Sequence, residues 1–143
     1  MFLGSGLFSL SSAESNAISV GLGSDVGGGT SLSMLSNMND AYKILRLRSE
    51  EFSPLKAFYL ATLGGAEVLD LDHTIGNFEP GKEADFVVLD RSATPLIEFR
   101  LGKSESLIED LFVFSMLGDD RVVKQTWSAG AKVHDRDIDI GID

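Results

Sequence analysis

The spacing of apolar and polar positions changes character several times along the chain. Ala17-Ile18-Ser19-Val20-Gly21-Leu22 is an apolar run, and Ala17–Gly23 is mostly apolar on both faces. That pattern predicts a strand covered on both sides, as in a parallel sheet. Before it, Ser11 to Asn16 is polar and reads as a short helix. From about Ser31 the period becomes helical, with Met34, Leu35, Met38, Ala41, Tyr42 and Leu45 on one face and Thr30 or Ser31 as the cap. Ser53-Pro54 pairs a cap with a first-turn proline and starts a helix through Leu55, Phe58, Tyr59 and Thr62. That helix is expected to end near Gly64-Gly65, with a second, short one over Ala66–Leu71.

The period then turns to that of strands. Gly76 to Lys82 is turn chemistry, with Pro80 followed by Gly81. Ala84–Asp90 reads as a strand with acids near both ends, and a further strand is expected at Leu96–Arg100. Ser104 is placed as the cap of a helix carrying Leu107, Ile108, Leu111 and Phe112. Gly118-Asp119-Asp120 is a turn, and Arg121–Trp127 with Ala131–Asp135 form a hairpin across Ser128-Ala129-Gly130. The acidic tail from Arg136 to Asp143 is expected to fray. Helices and one parallel-type strand thus come first, and a small β region comes last with too few strands to close a sandwich.

Composition narrows the partners. The 143 residues are 43% hydrophobic, enough to build a core. The formal net charge of −10 argues against nucleic acid or an anionic membrane surface as partner. No apolar run approaches the ~20 residues that span a bilayer. Phe2, Leu3, Leu7, Phe8 and Leu10 want burial, but no basic stretch precedes them, so they do not read as a signal peptide. The chain has no cysteine, which excludes disulfides and Cys-ligated zinc and is compatible with the cytoplasm.

The candidate chemistry lies in Gly21-Leu22-Gly23-Ser24-Asp25-Val26-Gly27-Gly28-Gly29-Thr30. One carboxylate ends the apolar run, and three glycines follow it. Two readings stand. Asp25 is a turn or cap residue of a tight strand-to-helix connection, or it is a carboxylate presented to a site at the C-terminal end of a barrel strand. No Gly-Lys-Ser/Thr follows, so this is not a phosphate-binding P-loop. Val26 falls where a dinucleotide fingerprint needs its third glycine. His73 could be a ligand or a base, but it sits in the turn Asp72-His73-Thr74 without a partner at ligand spacing. The methionine-containing face of the 34–45 helix reads as core rather than as a binding surface, and Lys43, Arg46 and Arg48 as a solvated face.

The run Gly21 to Thr30, continued by Ser31-Leu32-Ser33-Met34-Leu35, closely resembles the segment around the last barrel strand of guanine deaminases, in the amidohydrolase superfamily. Ala61-Thr62-Leu63-Gly64-Gly65-Ala66 and Ile75-Gly76-Asn77-Phe78-Glu79-Pro80-Gly81-Lys82-Glu83-Ala84-Asp85-Phe86-Val87-Val88-Leu89-Asp90 are similar to the helices that follow and to the return into a small β domain. Residues 118–134 resemble the closing strands, and Phe2–Phe8 the stretch after the preceding barrel strand. Gly81-Lys82-Glu83-Ala84-Asp85 carries a motif common to many amidohydrolases. Ser24 stands where the family usually has threonine and keeps the hydroxyl.

The resemblance implies an α/β fold: the C-terminal fragment of a (β/α)8 barrel plus part of the small β-sandwich domain. Residues 1–75 would be the last strand and following helices, and residues 76–143 part of the small β domain with one helix. It implies zinc-dependent hydrolysis of guanine to xanthine and ammonia, with Asp25 as both metal ligand and proton relay. It also implies that the histidine ligands lie upstream, because His73 and His134 match none of them. The chain by itself is therefore expected to be inactive, in need of the missing N-terminal barrel half, and part of a homodimer in the family. A non-catalytic remnant or interaction module, and an amidohydrolase acting on another amino-heterocycle, are the competing expectations.

Overall fold

The structure is a computed structural model that describes residues 4–138. Phe2 and Leu3, and the end of the acidic tail, lie outside the described residues. Six helices and a three-stranded antiparallel sheet follow in chain order: α1 (Leu10–Ser15), α2 (Met34–Leu47), α3 (Pro54–Ala61), α4 (Leu63–Val68), β1 (Phe86–Leu89), α5 (Pro95–Leu101), α6 (Leu107–Leu117), a short 3-10 turn over Asp120–Val122, β2 (Val123–Ser128) and β3 (Ala131–Asp135).

Hydroxyl caps start most of the helices. The side chains of Ser9, Ser33, Ser53, Thr94 and Ser106 accept first-turn N–H groups of α1, α2, α3, α5 and α6. Each cap satisfies a donor that the helix cannot satisfy itself. The cap of α2 is Ser33 rather than Thr30 or Ser31, because Ser31 Oγ is engaged by the Ser33 N–H at 3.1 Å. The cap of α6 is Ser106 rather than Ser104, whose hydroxyl donates to the Ser106 carbonyl. The region expected to be a strand at Leu96–Arg100 is α5. Thr94-Pro95 starts it as Ser53-Pro54 starts α3, and Ile97 and Leu101, a helical turn apart, are buried. Gly64 and Gly65 lie inside α4 rather than ending a helix, so the second short helix begins at Leu63 and not at Ala66. The break between α3 and α4 falls at Thr62.

The expected strand at Ala17–Gly23 is not a strand of any sheet in the described chain. Strand structure needs a partner ladder. Among the described residues, the segment from Ile18 to Ser24 makes two backbone hydrogen bonds, Ile18 N–H to Ala13 and Leu22 N–H to Leu60, the latter at 2.8 Å. Val20 and Leu22 still pack against the core.

That core lies among the helices. α6 packs on α2, α3 and α5, and α2 also packs on α3. Leu35, Met38, Leu45, Leu60, Ile97, Leu101, Val113, Phe114 and Val122 are buried together. The sheet joins at one side, in the order β1-β2-β3. Its hairpin turns on Ala129 and Gly130, both at positive φ (48° and 77°), as a two-residue loop requires. Asp85, the acid of the Gly-Lys-x-Ala-Asp motif, holds that turn: its carboxylate accepts the Ala129 N–H at 2.6 Å.

Glu50 fastens α1 to the end of α2. Its carboxylate accepts Ser11 N–H (2.9 Å), Ser9 Oγ (2.8 Å) and Arg48 Nε (3.0 Å). These donors, the Ser11 backbone N–H foremost, hold its carboxyl at about 2 against an ordinary 4.5. A depressed carboxyl stabilises the fold while it is charged. Its contribution is therefore complete above 4.5 and is lost as pH falls towards 2. Glu50→Gln should flatten the loss of stability across that window, read as denaturation midpoint against pH. Ile97, 1% exposed, should cost about 2–5 kcal/mol in a urea titration when cut to alanine.

Candidate active site

The segment from Ile18 leads Val20 and Leu22 into the core and ends on Ser24 and Asp25. Asp25 takes a left-handed backbone conformation, φ 46°, which aspartate tolerates better than most residues. The turn closes at once: the Gly29 N–H donates to the Asp25 carbonyl. A Cβ on Gly29 would fall on the Ser24 carbonyl oxygen, so the closure requires glycine there. Gly27, at φ 117°, takes a conformation that side chains exclude. The bare backbone after Asp25 is thus a structural requirement of the loop that carries it.

After the loop, Asn37 on the second turn of α2 ties the chain down. Its Nδ2 donates to the carbonyls of Ser31 (3.3 Å) and Ser33 (3.0 Å). The Asp25 side chain is exposed and makes no hydrogen bond or ion pair among the described residues. It stands at a concavity of about 550 Å³. Phe8 and Leu10 form one wall of that cavity, Val20 to Asp25 with Gly28 and Gly29 another, and Asn37, Asp40, Ala41 and Ile44 of α2 a third. The lining is mostly apolar with a few polar groups at the loop, the usual make-up of a small-molecule site, and its size lies in the usual range.

Asn37 and Asp40 were not among the sequence candidates. Their signal is the spacing 37, 40, 41 and 44, a second stripe of α2 beside the one that packs on α6. Asp40 is exposed and pairs with Lys43 at 3.8 Å. His73 is exposed in the turn after α4, and His134 lies on β3 opposite Thr126. Neither lines the cavity.

The donor set does not complete a metal site. A protein zinc site takes at least three protein ligands. Among the described residues, no three His, Cys, Asp or Glu side chains converge to hold an ion. The loop offers the Asp25 carboxylate alone, so a zinc centre does not fit the described residues without donors from elsewhere. The carboxylate can exchange protons with a molecule in the cavity.

Among the described residues, no helix is long and apolar enough to cross a membrane. The comparisons with known proteins agree with one another. The guanine deaminase of Escherichia coli K12 is 52% identical over 95% of this chain, which corresponds to 31% of that relative. The E. coli guanine deaminase structure superposes with a TM-score of 0.91 over 94% of this chain and 32% of its own. A guanine deaminase from C. acetobutylicum, solved with guanine bound in its active site, is 29% identical with a TM-score of 0.74, covering 92% of this chain and 31% of its own. The chain therefore spans about a third of the length of the relatives it matches, and the match falls in their C-terminal part. The amidohydrolase family pattern matches residues 1–133. On that match, and on the α/β architecture it shares with these structures, the chain belongs to the amidohydrolase family.

Proposed function

We propose that this chain provides the aspartate loop, the cavity wall around it and the small β region of a guanine deaminase, which converts guanine and water to xanthine and ammonia. The observation that carries this reading is the Asp25 loop itself. It is a glycine-closed turn whose carboxylate, unengaged among the described residues, stands at an apolar cavity, in a chain 52% identical to a guanine deaminase over nearly its whole length. In this reading Asp25 takes a proton from the water that attacks the amino-bearing carbon of guanine. It returns a proton to the departing amine, so the carboxylate ends as it began. Ala41 and Ile44 present an apolar wall to a flat purine ring.

Zinc is the cofactor of the reading, with Asp25 as this chain's donor and the remaining donors supplied by residues outside the described set. Residues 1–75 belong to the barrel and residues 76–143 to the small β domain, although α6 crosses that division to pack on α2 and α3. The cytoplasm and a homodimeric assembly belong to the same reading. The family resemblance supports both, and the cysteine-free composition is compatible with the former.

A chimera tests the reading directly. The 143 residues are exchanged for the matching third of the E. coli guanine deaminase. Guanine consumption and xanthine formation are then followed together with zinc content. Turnover by a folded, zinc-loaded chimera is expected, and its absence in such a chimera would refute the proposal. Within an active chimera, Asp25→Asn should keep the fold and lower kcat by about 10²- to 10⁴-fold, the usual worth of a proton-transferring group. Gly29→Ala should cause a loss of similar size without touching any reacting group, because its methyl group displaces Ser24 and Asp25.

A further inference from the structure

The geometry of the loop explains why Gly27 and Gly29 follow Asp25, but not why a glycine stands four residues before it. Gly21 lies against the backbone of another element. A Cβ built on it would come within 2.9 Å of Gly65 Cα, 3.5 Å of Gly65 N and 3.6 Å of the Gly64 carbonyl oxygen. All three are main-chain atoms of α4 and cannot swing aside as the tip of a side chain would. One residue on, the Leu22 N–H donates to the Leu60 carbonyl at 2.8 Å.

That carbonyl is available because the helix breaks at Thr62, where φ is −128° and ψ is −100°. The break leaves the last carbonyls of α3 without partners in their own helix. It also starts α4 so that Gly64 and Gly65 come against Gly21. Gly64 is buried there, and a Cβ on it would meet the Tyr59 ring at 2.9 Å. Two consecutive residues, Gly21 and Leu22, thus fasten the segment to α3 and α4. Among the described residues, no other backbone hydrogen bond ties Ser19 to Ser24 to any element.

We infer that Gly21 is a positioning residue. Its side-chain-free seat on Gly65 fixes the height at which the segment leaves α3 and α4, and so where Asp25 stands in the cavity. The inference rests on the deaminase reading for the role of Asp25, but the contact itself does not. The two glycines differ in a way that makes it testable. A methyl group on Gly21 strikes backbone, whereas one on Gly65 meets only the Leu60 carbonyl oxygen, at an ordinary 3.4 Å.

Amide resonances of the 143-residue chain provide a readout independent of activity. Gly21→Ala should shift the amides of Asp25 to Gly29, above all that of Gly29, whose N–H is donated to the Asp25 carbonyl. Gly65→Ala should leave them in place. In the chimera, Gly21→Ala should lower kcat about 100-fold, the scale of a 1 Å misplacement, with KM for guanine unchanged. Gly65→Ala should keep both constants. Unmoved Asp25–Gly29 amides in Gly21→Ala would overturn the inference. So would its global unfolding, because the contact would then hold the fold and not the carboxylate. An inactive wild-type chimera would overturn the deaminase reading instead, and the resonances would still decide the role of Gly21.

Discussion

Close approach of bare backbone governs the Asp25 loop and the cavity beside it. The Asp25 turn closes through a space that a single methyl group would fill, between Gly29 and the Ser24 carbonyl. Asp25 itself sits in a left-handed conformation, which persists only where the surroundings over-determine it. The closing hydrogen bond from Gly29 and the clamp by Asn37 on the following loop supply that constraint. The carboxylate is thus set in place by its neighbours' backbones, while its own oxygens stay unengaged among the described residues.

The helices transmit this arrangement outward. α2 lines the cavity with Asn37, Asp40, Ala41 and Ile44, and packs on α6 through a neighbouring stripe. α6 in turn carries α5 and α3. A second wall of the cavity, Phe8 and Leu10, is held by the Glu50 carboxylate through Ser9 and Ser11 at the start of α1. A short chain of contacts therefore connects the far side of the helical layer to the site. On the sheet side, Arg136 performs the same joining work. It donates to Asp90 Oδ2 at the end of β1 and to the Arg121 carbonyl before β2, each at 2.5 Å.

Much of this was legible in the sequence wherever the determining interaction is local. The glycine-rich loop announced its carboxylate, and Ser53-Pro54 announced α3, because capping and positive φ are decided within a few residues. The same logic applied to Thr94-Pro95 would have replaced the expected strand at Leu96–Arg100 with α5. The hydroxyl that caps α2 was harder to read, since Thr30, Ser31 and Ser33 all qualify until the loop closes and Ser31 is engaged elsewhere. The apolar run at Ala17–Gly23 carries the composition of a doubly covered strand. That composition records neighbours, and the described residues contain no partner strand to complete the ladder. Asn37 and Asp40 became cavity residues only through the packing of α2, which no window of sequence displays.

The small sheet bears an aromatic stack: Phe78 against Phe86, and Phe86 nearly parallel to Trp127, with ring centroids 5.9 and 5.5 Å apart. Trp127 is the chain's single tryptophan, and its indole N–H donates to Gln125 Oε1 at 3.2 Å. Tryptophan emission, excited at the red edge where Tyr42 of α2 and Tyr59 of α3 do not absorb, is consequently a private signal of the sheet. An emission change on heating or on adding denaturant reports the opening of that stack. The helical layer around Asp25, which has no indole of its own, is followed by far-ultraviolet dichroism. The two halves of the molecule thus carry separate optical labels, and any difference between the two melting curves measures how tightly the sheet and the helices share one unfolding transition.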